Sequence, residues 1–201
     1  MRCQICLMTP PELFSGGLTL DSFRPFLLDA LSSGVVQSVL LRSRGAEEEA
    51  IVAAIGSLRD PTQAAGAAFL LEDRADLAMS QSCDGVELQA RPTTLRSVRQ
   101  ALGKDLIVGA DCGVSRHLAM VAGEQDVDYV RFDALAVDTI AWWADLMEVP
   151  CVAAGGITLE SAPELIQAGA DFLALGSAVW HHPKGPAAAL QAFAALAADE
   201  D

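Results

Sequence analysis

The sequence contains little positive charge. Eleven arginines and only two lysines, Lys104 and Lys184, stand against 27 acidic residues, and the formal net charge is −14. A surface with this excess of acid repels nucleic acids and anionic membranes, so we exclude both as partners. No apolar run approaches the roughly 20 residues that a membrane-spanning helix needs. The first residues also lack the small-residue cleavage site of a signal peptide, and we therefore expect a cytoplasmic location.

The few cysteines of the chain argue against a disulfide framework. The chain has five cysteines, an odd number, and no secretory signal accompanies them. Cys3 and Cys6 form a C-x-x-C pair, but no second pair follows that would complete a zinc site. If these residues belong to a strand, the two side chains face opposite sides. We therefore expect ordinary thiols.

Short apolar runs alternate regularly with amphipathic or alanine-rich segments. The runs predict strands and the intervening segments predict helices. The predicted strands are Ile5–Thr9, Val35–Leu41, Ala67–Leu71, Gly85–Leu88, Leu106–Ala110, Tyr129–Phe132, Cys151–Ala154 and Phe172–Leu175. The predicted helices lie near residues 21–32, 46–58, 74–81, 93–102, 116–124, 138–147, 159–168 and 186–197.

Eight successive strand–helix units predict a parallel sheet with right-handed crossovers. Eight is also the number of strands that closes a compact single (β/α)8 TIM barrel. An open, doubly wound sheet is the alternative, because strand order cannot be read from one sequence. No linker or low-complexity segment interrupts the pattern, so we predict one domain over residues 1–201. In a barrel, functional side chains gather where strands end and the following loops begin.

Glycines follow the last two predicted strands. Gly155 and Gly156 come directly after strand 7, and Gly176 and Ser177 come after strand 8. Glycine lets backbone N–H groups approach a ligand without a Cβ in the way, and a helix that follows at once adds partial positive charge. These four residues therefore predict a phosphate site, since the last two loops often form one in β/α barrels. Tight turning between strand and helix is the alternative explanation.

Several longer stretches resemble the thiamine-phosphate synthase family, and the related thiazole tautomerases share much of the pattern. The stretches are CVAAGGIT at 151–158, AGADFLALGSAVW at 168–180, FLLEDRADLAMSQSCDGVEL at 69–88, LLRSRG at 40–45 and HLAMVAGEQDVDYV at 117–130. The resemblance covers nearly the whole chain and implies the closed barrel. It also implies a reaction that joins an aminopyrimidine pyrophosphate to a thiazole phosphate through a pyrimidine cation and releases pyrophosphate. In the family, Mg²⁺ holds that pyrophosphate.

The resemblance assigns roles to several residues. Arg42 matches an arginine that contacts pyrophosphate, and Arg44 stands where a lysine is usual. Asp73 matches an aspartate that binds Mg²⁺, and the glycine loops match the site of the thiazole phosphate. After strand 5, Asp111 replaces the family's serine, or Cys112 does if the register shifts by one residue. Arg42, Asp73 and Asp111 are therefore the predicted catalytic residues.

Two departures affect the parts that hold pyrophosphate. Pro92 occupies the position of the second metal-binding aspartate, which argues against an unchanged Mg²⁺ site. The family's long loop after strand 6, which ends in a lysine that contacts pyrophosphate, is missing here. Lys184 is the only lysine that could reach the same end of the barrel, and an ordinary surface position is favoured for it. Losing two charged contacts would slow the family reaction, since one such contact is worth about 3–4 kcal/mol.

Acidic side chains end four consecutive predicted strands. They are Glu72, Asp73, Glu87, Asp111 and Asp133. If they point inward, they form an acidic half opposite the phosphate loops, which favours a ligand with one phosphate and one cationic group. Capping of loops and helices by these carboxylates is the alternative. They could also bind a divalent metal with His181 or His182, although adjacent side chains diverge and a surface histidine pair is favoured.

Three functions remain open from the sequence. The first is binding of a phosphorylated thiamine-pathway compound, such as thiazole phosphate or thiamine phosphate, with synthase activity reduced or lost. The second is an active thiamine-phosphate synthase, a transferase, with a rearranged Mg²⁺ site. The third is a tautomerase or isomerase that uses Asp111, Glu87 or Cys112 as its base. Each reading has a phosphorylated small molecule as partner, and the resemblance allows a homodimer.

Overall fold

Eight parallel strands close into a barrel in which each strand pairs with its neighbours in sequence order and β1 pairs with β8. The computed structural model describes residues 3–43 and 45–198. The strands are β1 (Gln4–Met8), β2 (Val36–Leu41), β3 (Ala68–Glu72), β4 (Gly85–Gln89), β5 (Ile107–Gly113), β6 (Tyr129–Asp133), β7 (Cys151–Ala154) and β8 (Phe172–Leu175). The predicted barrel is confirmed, and the open sheet is excluded because β1 and β8 are hydrogen-bonded partners.

Helices follow the strands and form the outer layer. They are α1 (Glu12–Ser15), α2 (Leu20–Ser32), α3 (Glu48–Ala64), α4 (Ala75–Ser80), α5 (Pro92–Leu102), α6 (Arg116–Gly123), α7 (Val137–Leu146), α8 (Ala162–Gln167), α9 (Ser177–Trp180) and α10 (Pro186–Leu196). The short α1 and α9 were not predicted, since a single turn has too few residues to show a helical period. No helix among the described residues is long and apolar enough to cross a membrane.

Most of the core lies between the barrel and the helices. In β1, Ile5 and Leu7 point outward and are buried, whereas Cys6 and Met8 point into the barrel and are only half-buried. The C-x-x-C pair is split in the same way, because Cys3 belongs to the outer core and Cys6 lies inside. The prediction that their side chains face opposite sides is confirmed.

Aspartates at the start of alternate strands connect the strands in pairs. Asp84, Asp128 and Asp171 directly precede β4, β6 and β8. Their carboxylates accept hydrogen bonds from the amides of Phe69, Val108 and Cys151 on the preceding strands, at 2.7, 2.7 and 2.8 Å respectively. A hydrogen bond to a charged acceptor is stronger than a neutral one. This repeated contact fixes the amino-terminal end of the barrel and leaves the opposite end for function.

Small side chains inside the barrel leave a cavity of about 260 Å³, which we call the interior cavity. Cys6, Ser38, Ala68 and Ala174 lie on its wall, where β/α barrels usually place larger branched residues. The polar side chains of Glu87, Tyr129 and Arg131 also line it.

Candidate functional site

A second cavity of about 260 Å³ opens at the carboxyl ends of the strands, and we call it the mouth pocket. Residues that end or follow β1, β2, β7 and β8 form most of its wall, and Arg131 contributes from within β6. Arg42 and Arg131 lie on this wall together with Gly155, Gly156 and the pair Gly176–Ser177. The structure therefore brings both glycine loops and one predicted catalytic residue, Arg42, to the same pocket.

The four predicted phosphate-binding residues present free backbone donors. Among the described residues, no hydrogen bond is made by the amides of Gly155, Gly156, Gly176 or Ser177. Gly155 and Gly156 have backbone φ angles of 103° and 64°, which residues other than glycine rarely adopt. Four unpaired N–H groups on one pocket wall are the arrangement that binds an anion such as phosphate.

The helix expected directly after Thr158 begins later, so that prediction is wrong. Helix α8 starts at Ala162 and has six residues. Thr158 and Ser161 instead bond each other reciprocally, with the Thr158 amide donating to Ser161 Oγ at 3.0 Å and the Ser161 amide donating to Thr158 Oγ1 at 3.3 Å. These contacts close a turn in place of the first helical turn. The donors at the pocket are therefore loop amides rather than the end of a long helix.

Arg42 is held by its backbone and leaves its side chain available. Its amide donates to Thr9 Oγ1 at 3.0 Å, which joins the ends of β1 and β2. Its Nε atom is buried and has no hydrogen-bond partner among the described residues. An unpaired buried donor is costly, and a bound anion would satisfy it. Arg44, the second predicted cation of this segment, lies outside the described residues.

Two of the predicted acids bond to neighbouring loops. Glu72 is buried, and its Oε2 accepts from the Ser43 amide at 3.1 Å, while the Ser43 hydroxyl donates to the Glu72 carbonyl oxygen at 3.0 Å. Asp73 is exposed, and its Oδ1 accepts from the Gln89 amide at 3.1 Å. Both carboxylates thus connect strand ends, as the capping alternative expects for them.

Two other predicted acids surround an arginine that the sequence analysis did not single out. Arg131 Nε donates to Glu87 Oε1 at 2.8 Å, and Arg131 Nη2 forms an ion pair with Asp111 Oδ2 at 2.6 Å. The Tyr129 hydroxyl donates to Glu87 Oε2 at 3.0 Å. We call Glu87, Asp111, Tyr129 and Arg131 the barrel cluster. Side chains alternate along β6, and Val130 and Phe132 are buried on the outer face of the barrel. This alternation predicts that Arg131 points into the barrel.

Burial and charge perturb the groups of the barrel cluster. Burial raises the pKa of Glu87, and the nearby Arg131 opposes this rise only in part. Burial also raises the pKa of Tyr129, and the charge of Glu87 raises it further. For Arg131, burial lowers the pKa, but Glu87 and Asp111 outweigh burial and the net shift is upward. The guanidinium is therefore charged at every physiological pH.

The remaining candidates lie at or beyond the edge of the pocket. Asp133 Oδ1 accepts from the Leu135 amide at 2.8 Å, which closes the loop after β6. Cys112 points to the outer core, and burial raises its pKa to about 12, so it is not a nucleophile at neutral pH. Lys184 is exposed between α9 and α10 and is absent from the described residues that line the pocket. His181, which is exposed, does line it.

Trp180 supports the loop after β8 from below. Its indole Nε1 donates to the Met8 carbonyl oxygen at 2.7 Å, and its ring meets Phe23 edge-on at a centroid distance of 5.0 Å. Trp180 therefore packs under the loop that follows β8. This contact connects α9 to the end of β1 and so fixes the position of Ser177.

The side chains that the structure describes do not by themselves form a complete metal site. No group of three His, Cys, Asp or Glu residues that could hold a metal occurs among the described residues. Pro92 is the first residue of α5 and supplies no donor in place of an aspartate. Mg²⁺, however, is commonly bound through one or two carboxylates and the phosphates of a substrate. The exposed Asp73 fits that arrangement.

Comparison with known proteins places the chain in a family. A family model described as thiamine monophosphate synthase matches residues 15–179. The chain is 47% identical to the thiamine-phosphate synthase of Rhodospirillum centenum, covering 95% of this chain and 96% of that protein. It is 38% identical to the thiamine-phosphate synthase of Hyphomonas neptunium, covering 97% and 94% respectively.

A solved structure shares the fold. The thiamine phosphate pyrophosphorylase of Pyrococcus furiosus superposes with a TM-score of 0.81 at 22% identity, over 98% of this chain and 96% of that one. The 3-hexulose-6-phosphate synthase of Salmonella typhimurium superposes with a TM-score of 0.75 at 15% identity, over 96% and 98%, and supports the barrel alone. By the family match and the full-length relatives, the chain belongs to the thiamine-phosphate synthase family.

Proposed function

We propose that this protein is a thiamine-phosphate synthase, which joins an aminopyrimidine pyrophosphate to a thiazole phosphate. In this reaction, the C–O bond between the pyrimidine methylene and pyrophosphate breaks, and its electron pair leaves with pyrophosphate. The thiazole nitrogen then supplies the electron pair of the new C–N bond. The products are thiamine phosphate and pyrophosphate.

The observation that carries the proposal is that four residues whose amides have no hydrogen-bond partner among the described residues line the same pocket as Arg42. The amides of Gly155, Gly156, Gly176 and Ser177 have no partner among the described residues, and the buried Nε of Arg42 has none either. Unpaired donors on a shared wall are suited to a phosphorylated ligand. The relatives named thiamine-phosphate synthase extend over almost the full chain, which supports this choice of ligand.

The residues of the pocket would have different roles in the reaction. The glycine loops bind the phosphate of the thiazole and hold its nitrogen in position for attack. Arg42 donates to the leaving pyrophosphate, where negative charge develops as the C–O bond breaks. A Mg²⁺ ion held by Asp73 and the substrate would supply further stabilisation of that charge. Asp111 is engaged by Arg131 and serves in orienting it.

A second candidate is binding of thiazole phosphate or thiamine phosphate with synthase activity reduced or lost. Two observations favour it. Only Ala134–Ala136 separate β6 from α7, so no loop there covers the pocket or brings a lysine to it. Pro92 removes one carboxylate from the side of the site where Asp73 lies. Fewer cations at the leaving group would lower the rate while leaving the phosphate loops intact.

A tautomerase or isomerase is less well supported. Glu87 and Asp111 are both paired with Arg131, and the thiol of Cys112 lies outside the barrel. A base needs a free acceptor within reach of the proton it removes. Glu87 and Asp111 are engaged by the guanidinium of Arg131.

The experiment combines the purified protein with aminopyrimidine pyrophosphate, thiazole phosphate and Mg²⁺, and measures thiamine phosphate by mass spectrometry. Arg42→Gln should lower kcat/KM about 100-fold, because a donor to the developing charge is lost. Arg24→Gln, an exposed arginine on α2, is the matched control and should behave like the unmodified chain.

Three outcomes separate the candidates. Product formation that depends on Arg42 supports the synthase. Absence of product, with calorimetry showing tighter binding of thiamine phosphate than of inorganic phosphate, supports binding without turnover. Equal, millimolar affinity for both compounds and no product would exclude both candidates.

A further inference from the structure

The barrel cluster places a charged guanidinium where the mouth pocket and the interior cavity meet. Arg131 lines both cavities, and of the other residues that the structure describes, only Met8 and Ala174 do the same. Its side chain is 13% exposed, so the charge is largely removed from bulk water but open to the cavities. Arg131 thus forms part of the floor of the mouth pocket, whose wall also includes Arg42 and the glycine loops.

The contacts of Arg131 fix its direction and leave donors unused. Glu87 binds Nε and Asp111 binds Nη2, from two neighbouring strands. Nη1 has no hydrogen-bond partner among the described residues. A guanidinium carries five N–H donors in a rigid plane. When Glu87 and Asp111 hold two of its nitrogens, the remaining donors keep a fixed direction and can bind a ligand.

A structural role alone explains the barrel cluster poorly. Replacing a buried ion pair by well-packed apolar side chains often leaves a protein as stable or makes it more stable, because ion pairs lose their hydration on burial. The other walls of the interior cavity are largely apolar, with Leu40, Leu70, Val152 and Phe172 among them. Among the described residues, Arg131 is the charged side chain that lines both the interior cavity and the mouth pocket, and this position favours a ligand contact.

We propose that Arg131 is a catalytic residue that donates hydrogen bonds to the leaving pyrophosphate from the floor of the mouth pocket. This inference rests on the proposed function, and it gives the site a second guanidinium beside Arg42. Glu87, Tyr129 and Asp111 hold the plane of Arg131 in position. Two carboxylates offset its charge, so Arg131 acts mainly through oriented donors rather than through net charge.

Binding of inorganic pyrophosphate, measured by calorimetry without added metal, tests the contact separately from turnover. Arg131→Lys should weaken binding about 10-fold, because an ammonium cannot reproduce the planar, charge-assisted contacts of a guanidinium. Lys104→Gln removes one positive charge from an exposed pair with Asp126 and should leave the affinity unchanged.

A double variant guards against misfolding. Glu87→Gln with Arg131→Gln removes both charges of the buried pair, so neither is left without its partner. It should bind pyrophosphate at least as weakly as Arg131→Lys. Affinity equal to that of Lys104→Gln in either folded variant would overturn the inference.

A further measurement needs no variant. In ¹⁵N-labelled protein, titration with pyrophosphate should shift the Nε–Hε resonance of Arg131. That of Arg99 should not move, because its guanidinium binds the Asp126, Gly103 and Leu106 carbonyl oxygens on another part of the chain. An unmoved Arg131 resonance at saturating pyrophosphate would also overturn the inference.

The synthase assay keeps the two proposals apart. If the Arg131 variants lose pyrophosphate binding and the unmodified chain forms no thiamine phosphate, the result supports the Arg131 contact and rules out the proposed synthase function. If Arg131→Lys retains full turnover and unchanged pyrophosphate affinity, the result supports the synthase function and rules out the Arg131 contact.

Discussion

The ring of Tyr129 lies directly against the backbone of Gly109 on the neighbouring strand. The two residues are partners in the β5–β6 register, and a Cβ added at Gly109 would overlap the ring. Glu87 is the partner of Gly109 on the other side, so the Tyr129 hydroxyl reaches across Gly109 to the Glu87 carboxylate. The missing side chain at 109 is therefore what allows the barrel cluster to form.

Substituting Gly109 should destabilise the fold. Gly109→Ala forces the Tyr129 ring to move and weakens its bond to Glu87, at a cost of about 1–3 kcal/mol in the free energy of unfolding. Gly56→Ala, at an exposed position within α3 with no atom near the added Cβ, should instead raise it by about 0.5–1 kcal/mol. Denaturant unfolding measures both, and equal shifts in the two variants would refute the packing argument.

The raised pKa of Glu87 has a consequence for the pH dependence of stability. Burial favours the protonated form in the folded chain, so the folded state binds this proton more tightly than the unfolded state. The stabilisation that this bound proton provides is complete below pH 4.5, the ordinary pKa of a glutamate. It is lost as the pH rises through the higher pKa of Glu87 in the folded state.

Glu87→Gln removes this titration. The free energy of unfolding of the unmodified chain minus that of the variant should therefore decrease as the pH rises above 4.5. Denaturant unfolding at several pH values between about 4.5 and 8 provides the difference. A difference that is constant or grows with pH would show that Glu87 is not the buried acid described here.

The aspartates that precede alternate strands should each contribute to stability. Asp171→Ala removes the acceptor of the Cys151 amide and should lower the free energy of unfolding by about 1.5–3 kcal/mol, because a charge-assisted bond is lost. Asp105→Ala, at an exposed position before β5, is the matched control and should change it by less than about 0.5 kcal/mol. Similar losses in both variants would contradict the role of Asp171.

The thiols should react slowly in the folded protein. Burial raises the pKa of Cys3 and Cys112 to about 12, and that of Cys6, Cys83 and Cys151 to about 11. Since the thiolate is the reactive form, iodoacetamide at neutral pH should label the native chain far more slowly than the unfolded chain. Mass spectrometry counts the labelled sites, and rapid native labelling of Cys3 or Cys6 would indicate a functional C-x-x-C pair.

The sequence predicted the strands closely because they are short apolar runs with clear limits. The ranges Cys151–Ala154 and Phe172–Leu175 agree with the structure in full. Closure depends on pairing between β1 and β8, which no local pattern encodes. The resemblance to a barrel family supplied that information, and the structure confirmed it.

The side chains of the site were harder to predict, because their partners come from other strands. Glu87 and Asp111 were expected to form an acidic wall, yet both bind Arg131. Arg131 was overlooked because the run that follows it was interpreted only as a shortened loop. Helix α8 begins later than the predicted helix near 159–168, because Thr158 and Ser161 bond each other in a turn.

A crystal structure of the protein with thiamine phosphate and pyrophosphate tests the mouth pocket most directly. We expect a phosphate group within hydrogen-bond distance of the Gly156 and Ser177 amides, and pyrophosphate beside Arg42. Both ligands bound elsewhere, or a phosphate loop that remains unoccupied at saturating concentration, would contradict the account.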